Sequence, residues 1–126
     1  MSVLRYFLKE PESSSVLDIS AGWGDRLIGA ISCNVANYVA CDPNINLRDG
    51  HRSIINYFAG DRKERFKVIY EPFESATLPD GLEYDLIFTS PPFFDLEVYT
   101  DVEGQSLISH SDGKDWLVKF LFASLK

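Results

Sequence analysis

The stretch that most limits what this chain can become is VLDISAGWGDRL, from Val16 to Leu27. Val16, Leu17 and Ile19 read as a short buried strand, followed by a loop carrying Gly22 and Gly24 and then by the first turn of a helix. Glycines lack a Cβ, so the backbone of such a loop can approach a bound molecule closely. The helix behind it offers unpaired N–H groups and the positive end of its dipole. Asp25 stands where a residue can cap that helix. Asp18, near the carboxyl end of the strand, puts a negative charge where a bound phosphate would otherwise lie. The expected ligand of this corner is therefore not held by a phosphate.

Chain length and chemistry narrow the setting. At 126 residues, 45% hydrophobic and 13% aromatic, the chain reads as one domain over 1–126 with ample material for a core. No apolar run approaches the roughly 20 residues needed to span a bilayer, and the first ten residues lack a signal-peptide pattern. The expectation is a soluble, cytoplasmic protein. Cys33 and Cys41, without a CxxC or a nearby histidine, give no metal signature and read as reduced structural thiols. The net charge of −7 leaves no basic face for nucleic acid. Arg48, Arg52, Arg62, Lys63, Arg65 and Lys67 are interrupted by Asp49, Asp61 and Glu64, as on a solvated helix and turn.

Downstream, the pattern alternates strands and helices. Val3–Lys9 reads as a short amphipathic turn or helix, Asp25–Ser32 as a helix, and Tyr38–Cys41 as a second buried strand closed by Asp42-Pro43. Strand, helix, strand predicts parallel pairing with a right-handed crossover. Asp42 then sits where nucleoside-binding α/β folds place an acidic residue to accept hydrogen bonds from both ribose hydroxyls. A second helix follows, with Leu47, His51, Ile54, Ile55 and Phe58 at helical spacing, and Gly60 stops it. His51 reads as a satisfied structural histidine. Phe66–Tyr70 is the third strand and Tyr84–Ser90 the fourth, with Leu86, Ile87 and Phe88 as an apolar run suited to burial on both faces.

The fourth strand runs directly into Ser90-Pro91-Pro92-Phe93. Two prolines at a strand end cannot donate to the ladder and fix the backbone, so the carbonyls before them are held in place. A conjugated amino group is a poor nucleophile because its lone pair is delocalised. Acceptors on both of its N–H groups localise that lone pair, and Ser90 through its hydroxyl and Pro91 through its carbonyl are suited to this. Phe93 offers a surface for stacking on a flat target.

The pattern Asp18-x-Ser20-x-Gly22-x-Gly24 resembles the cofactor loop of class I S-adenosylmethionine-dependent methyltransferases. Thr89-Ser90-Pro91-Pro92-Phe93 resembles the catalytic tetrapeptide of amino-methyltransferases, which modify adenine N6, cytosine N4, guanine N2 or glutamine amide nitrogens. A serine in first position resembles the cytosine-N4 branch, whereas Phe93 in fourth position resembles some RNA adenine-N6 and guanine-N2 enzymes. SAGWGDRLIGA, ACDPN and FTSPPFFDLEVY are similar to a group of phage, viral and bacterial DNA methyltransferase-like proteins. That group's target-recognition portion has no match in the chain.

The resemblance implies an α/β, Rossmann-like class I methyltransferase fold, with a parallel sheet ordered 3-2-1-4, flanked by helices and lacking strands 5 to 7. It implies S-adenosyl-L-methionine as cofactor, held by Asp18, Ser20, Ala21, Gly22, Gly24, Asp42, Pro43, Phe73 and Glu74. Of the glutamates after the third strand, Glu74 matches the adenine-facing position better than Glu71. Ser90, Pro91, Pro92 and Phe93 are the implied catalytic residues, acting on the exocyclic amino group of a nucleic-acid base, cytosine N4 or adenine N6 in DNA.

The implied nucleic acid is DNA in preference to RNA, gripped mainly by elements outside this chain. The segment from Phe94 to Asp112 lacks periodicity and reads as a lid over the target pocket, before a final helix bearing Trp116, Leu117, Phe120 and Leu121. The fourth strand is left as an open apolar edge, which predicts a truncated product or pairing with a second copy of the chain. Two alternatives stay open. One is an S-adenosylmethionine-binding module without activity. The other is a nicotinamide-dependent oxidoreductase, although Gly22-x-Gly24-x-x-Leu27 misses the last glycine of that fingerprint.

Overall fold

Alternation along three short strands divides the molecule into two layers around one parallel sheet. In the computed structural model, which describes residues 3–90 and 112–122, β1 (Ser15–Asp18), β2 (Asn37–Cys41), β3 (Phe66–Ile69) and β4 (Leu86–Ile87) form a four-stranded sheet of order β3-β2-β1-β4. Every adjacent pair is parallel. Because successive side chains point to opposite faces, Val16, Tyr38, Ala40 and Phe66 enter one core, and Leu17 and Val39 enter the other.

The first face is covered by helices. Leu4 of α1 (Leu4–Phe7), Leu27, Ala30, Ile31 and Cys33 of α2 (Asp25–Cys33), and Ile54 and Ile55 of α3 (Arg48–Phe58) pack there. On the opposite face lie Phe73, Leu78, Leu82 and Tyr84, from the connection between β3 and β4. The two free thiols, Cys33 and Cys41, are buried. Burial, with Asp18, Glu71 and Asp42 nearby, pushes the Cys41 thiol up to about 12, so it stays protonated.

Helix ends follow local chemistry, with one departure from expectation. Gly24, not Asp25, is the N-cap of α2, and no side chain caps that end. The φ of +99° at Gly24 makes the turn into the helix, which leaves Asp25 in the first turn, where its charge complements the dipole. At the other end Asn34, with φ +58°, closes α2 as its N–H returns to Ala30 and Ile31 and the N–H of Val35 to Ala30. Gly60, with φ +58°, follows α3 and begins a 3-10 segment, Gly60–Arg65.

The fourth strand is shorter than the sequence suggests. Only Leu86–Ile87 is strand, although the Asp85 N–H donates to Ser15 O at 2.9 Å and the Phe88 N–H to Leu17 O at 3.0 Å. Ile87 is 61% exposed. The apolar run Leu86-Ile87-Phe88 is thus not buried on both faces: β4 pairs with β1 alone among the described residues, and the sheet face under Ile87 is uncovered there. The final helix begins where expected. Asp112 caps α4 (Gly113–Asp115), which continues as a π-helical turn, Trp116–Leu121.

Candidate active site

The loop between β1 and α2 is held by polar groups drawn from four directions. The Ser20 N–H donates to Asp18 Oδ1 at 3.1 Å. Asp18 Oδ2 accepts from Arg26 Nε at 2.6 Å and from the Tyr38 hydroxyl at 2.8 Å. Arg26 Nη2 also donates to the Ser20 carbonyl, and the Ala21 N–H to Cys41 O at 2.9 Å. The Gly22 N–H donates to Asp42 Oδ2 at 2.8 Å, and the Gly22 carbonyl lies 2.8 Å from His51 Nε2. The loop is therefore set before any ligand arrives.

Asp18 ends β1, as the sequence suggests, and its side chain turns into the fold. It is 0% exposed, with Oδ2 accepting from Arg26 and Tyr38 and Oδ1 from the Ser20 N–H. A carboxylate this deep needs a partner charge and full hydrogen bonding, and Arg26 and Tyr38 meet that need. Burial first, and then Asp18, push the Tyr38 phenol well above its ordinary value, so the hydroxyl stays protonated and donates. The charge of Asp18 is thus paired with Arg26 inside the fold and does not reach the surface.

Asp42 follows the end of β2 and is 8% exposed. Its Oδ1 accepts from the Asn44 N–H at 2.9 Å, and its Oδ2 from Gly22. Each carboxylate oxygen retains a second lone pair, so the group can still accept a pair of hydroxyls. Burial raises its pKa, while the N–H groups of Asn44 and Gly22 and the nearby His51 pull it down. Gly22 has φ +58°, and a Cβ there would meet nothing closer than Arg26 Nη2 at 4.0 Å. That backbone is open to approach.

The tip of β4 lies directly beside this loop. Ser20 Oγ donates to the Ser90 carbonyl at 2.9 Å and lies 2.5 Å from Thr89 Oγ1. Because the one hydroxyl proton of Ser20 goes to a carbonyl, Thr89 must be the donor in the second bond. The chain Thr89 to Ser20 to Ser90 ties the tips of β1 and β4 at the same end of the parallel sheet. Ser90 is exposed. Pro91, Pro92 and Phe93, and all of the expected lid before Asp112, lie outside the described residues.

The remaining expected cofactor residues divide. Ala21 is buried in the loop, Pro43 is half-buried beside Asp42, and Phe73 packs under the sheet against Leu17, Ile19 and Val39. Glu74 is exposed on the 3-10 turn Phe73–Ser75. Sequence reasoning missed the parts played by Arg26, Tyr38 and Thr89. A basic residue in the first turn of the helix, eight positions after an acid at the strand end, was the available signal for Arg26. Among the described residues no group of His, Cys, Asp and Glu could hold a metal, and no helix is long and apolar enough to cross a membrane.

No protein-family model matches the chain, and no curated protein sequence matches it. Among solved structures it is similar to Arabidopsis thaliana protein arginine methyltransferase 10, crystallised in what is described as a uniquely open conformation. The TM-score is 0.55 at 21% identity, over 68% of this chain. The chain spans 23% of the length of that protein. With the sheet order β3-β2-β1-β4, this defines a Rossmann-like α/β fold of the methyltransferase kind.

Proposed function

We propose that the chain is the cofactor-binding core of an S-adenosylmethionine-dependent methyltransferase acting on a planar amino group, cytosine N4 or adenine N6 of a nucleic acid. The single observation that supports this most is the contact of Ser20 with Ser90 and Thr89, which joins a preset glycine loop to the segment leading into Pro91-Pro92-Phe93. The donor set suits the cofactor. Asp42 keeps lone pairs for two ribose hydroxyls, and the open backbone at Gly22 admits close approach.

S-adenosylmethionine, when bound, supplies a methyl group on a sulfonium that leaves as a neutral thioether. The work of this chain is then mainly alignment and water exclusion. The Ser90 hydroxyl and the carbonyl of Pro91 accept from the two N–H groups of the target, which localises the nitrogen lone pair. Ser20 holds the Ser90 carbonyl and so sets the direction from which the target enters. No general base is required, because the proton is lost from an already methylated, cationic nitrogen.

The partners in this reading are nucleic acid, bound through elements outside this chain, and a second copy paired along β4. A monodisperse monomer in sedimentation would remove the second copy. A protein substrate is a second reading. It is favoured by the arginine methyltransferase named above and by a net charge of −7, which attracts cationic peptides. Calorimetry with S-adenosylhomocysteine, followed by transfer of labelled methyl to DNA, RNA and an arginine-rich peptide, tests both. The first reading expects binding and label on nucleic acid. No binding sinks the cofactor assignment, and label on peptide alone replaces the substrate.

A further inference from the structure

His51 is the least explained group near the site. It lies on the apolar stripe of α3, is 1% exposed, and stacks on Tyr70 with ring centroids 5.9 Å apart at 22°. Packing alone would be served better by leucine, since a buried imidazole must find partners for both nitrogens. It finds them in two different elements. Nε2 meets the Gly22 carbonyl at 2.8 Å, and Nδ1 meets the Tyr70 hydroxyl at 3.0 Å, just beyond the end of β3.

The chemistry of these partners settles the proton. A carbonyl can only accept, so Nε2 must carry the hydrogen. In the neutral ring Nδ1 is then an acceptor, and Tyr70 is the donor. Burial raises the Tyr70 phenol, with Arg48 opposing, so that hydroxyl keeps its proton. The guanidinium of Arg48 lies 5.4 Å from the centre of the Tyr70 ring and steadies it from α3.

Gly22 is consequently gripped at both ends: its N–H by Asp42 and its carbonyl by His51. The neighbouring glycine shows how close the contact is. A Cβ on Gly24 would lie 3.2 Å from His51 Cδ2 and 2.8 Å from Ile54 Cδ1. We infer that His51 is a positioning residue for the cofactor loop. Its tautomer is fixed by the Gly22 carbonyl, with Tyr70 as donor to the other nitrogen, and it sets the Gly22 orientation that aims Asp42 at the ligand. This rests on the methyltransferase reading for the identity of the ligand, but not for the clamp itself.

The test therefore has a ligand-free arm. In the free protein, 15N spectra of the imidazole are expected to show a protonated Nε2 and an acceptor Nδ1. Tyr70→Phe should keep Nε2 protonated and shift the Nδ1 resonance toward that of a nitrogen without a hydrogen-bond donor. The Gly22 amide should exchange slowly in the wild type and faster in His51→Leu. An unprotonated Nε2, or unchanged Gly22 exchange in His51→Leu, overturns the clamp.

In the ligand arm, His51→Leu should weaken S-adenosylhomocysteine binding by roughly tenfold or more, the loss of one buried hydrogen bond. His51→Gln, which can present an amide N–H near the Nε2 position, should restore most of that affinity. Val35→Ala, in the core and away from the loop, controls for stability: it should lower the melting temperature and leave affinity unchanged. Failure of His51→Gln to restore affinity while the protein remains folded, or an equal loss in Val35→Ala, overturns the positioning role. If the wild type binds no adenosyl compound but the ligand-free arm succeeds, the cofactor assignment fails and the clamp stands.

Discussion

The glycine loop after β1 and the tip of β4 face each other across the same end of the sheet, yet they are built very differently. In the loop, Ser20, Ala21 and Gly22 have their backbone groups tied to Asp18, Arg26, Cys41, Asp42 and His51, contributed by two strands, the turn after the second of them and two helices. The β4 tip hangs on a two-residue strand and on Ser20, with Ile87 61% exposed and Ser90 at the surface. One region is preorganised, and the other is attached to it at a single hydroxyl. In the proposed reading, this suits a site that holds a cofactor in one pose and admits a target beside it.

The largest expected effect separates two glycines within the loop. Gly24→Ala combines a left-handed backbone with contact on Ile54 and His51, and should cost about 3–4 kcal/mol. Gly22→Ala meets only the backbone strain, about 1–2 kcal/mol. Thermal unfolding of the two variants checks this, and equal losses would mean the loop is not seated on α3 as described. Arg26→Met should cost about 2–3 kcal/mol by leaving Asp18 buried beside only Tyr38 and Ser20. Denaturant midpoints measure it, and a neutral result would show that Asp18 is not held as an ion pair.

Smaller effects bear on binding. Asp42→Ala should weaken S-adenosylhomocysteine binding about tenfold, the worth of a charged hydrogen bond. In the wild type that affinity should fall on acidification at a pH above the ordinary carboxylate value, because burial raises the pKa of Asp42. The sign for stability is opposite. The folded state binds this proton more tightly than the unfolded chain, so the contribution of Asp42 to stability declines as pH rises from the ordinary value through the raised one. Calorimetry across the acid range distinguishes the two trends. Ser20→Ala should change affinity least, within about threefold, while slowing methyl transfer more, since it frees the Ser90 carbonyl. Equal loss of both would place Ser20 on the cofactor and not between the tips.

Much of the frame was readable from residue order. The β1 strand, the glycine turn, α2, the second strand ending before Asp42 and the parallel pairing follow from hydrophobic periodicity and strand-helix alternation, whereas the order 3-2-1-4 came from the resemblance to class I methyltransferases. Elements near the edge were read less well. Leu86-Ile87-Phe88 looks doubly buried because an apolar run says nothing about whether a neighbouring layer exists to cover it. Asp25 looks like a cap because capping residues are recognised by type, whereas the φ of +99° at Gly24 decides the turn.

What the amino-acid order determines by itself is local: where chain direction changes, which stretches are apolar, and which residues have the chemistry to meet a nucleoside or an amino group. Only the tertiary structure decided how those groups are used. Asp18 turned out to be an internal counter-charge for Arg26, and His51 a grip on Gly22, while Ser20 became the bridge to Ser90. The reason is that a hydrogen bond between residues far apart in the chain depends on which elements the sheet brings together, and periodicity carries no record of that pairing.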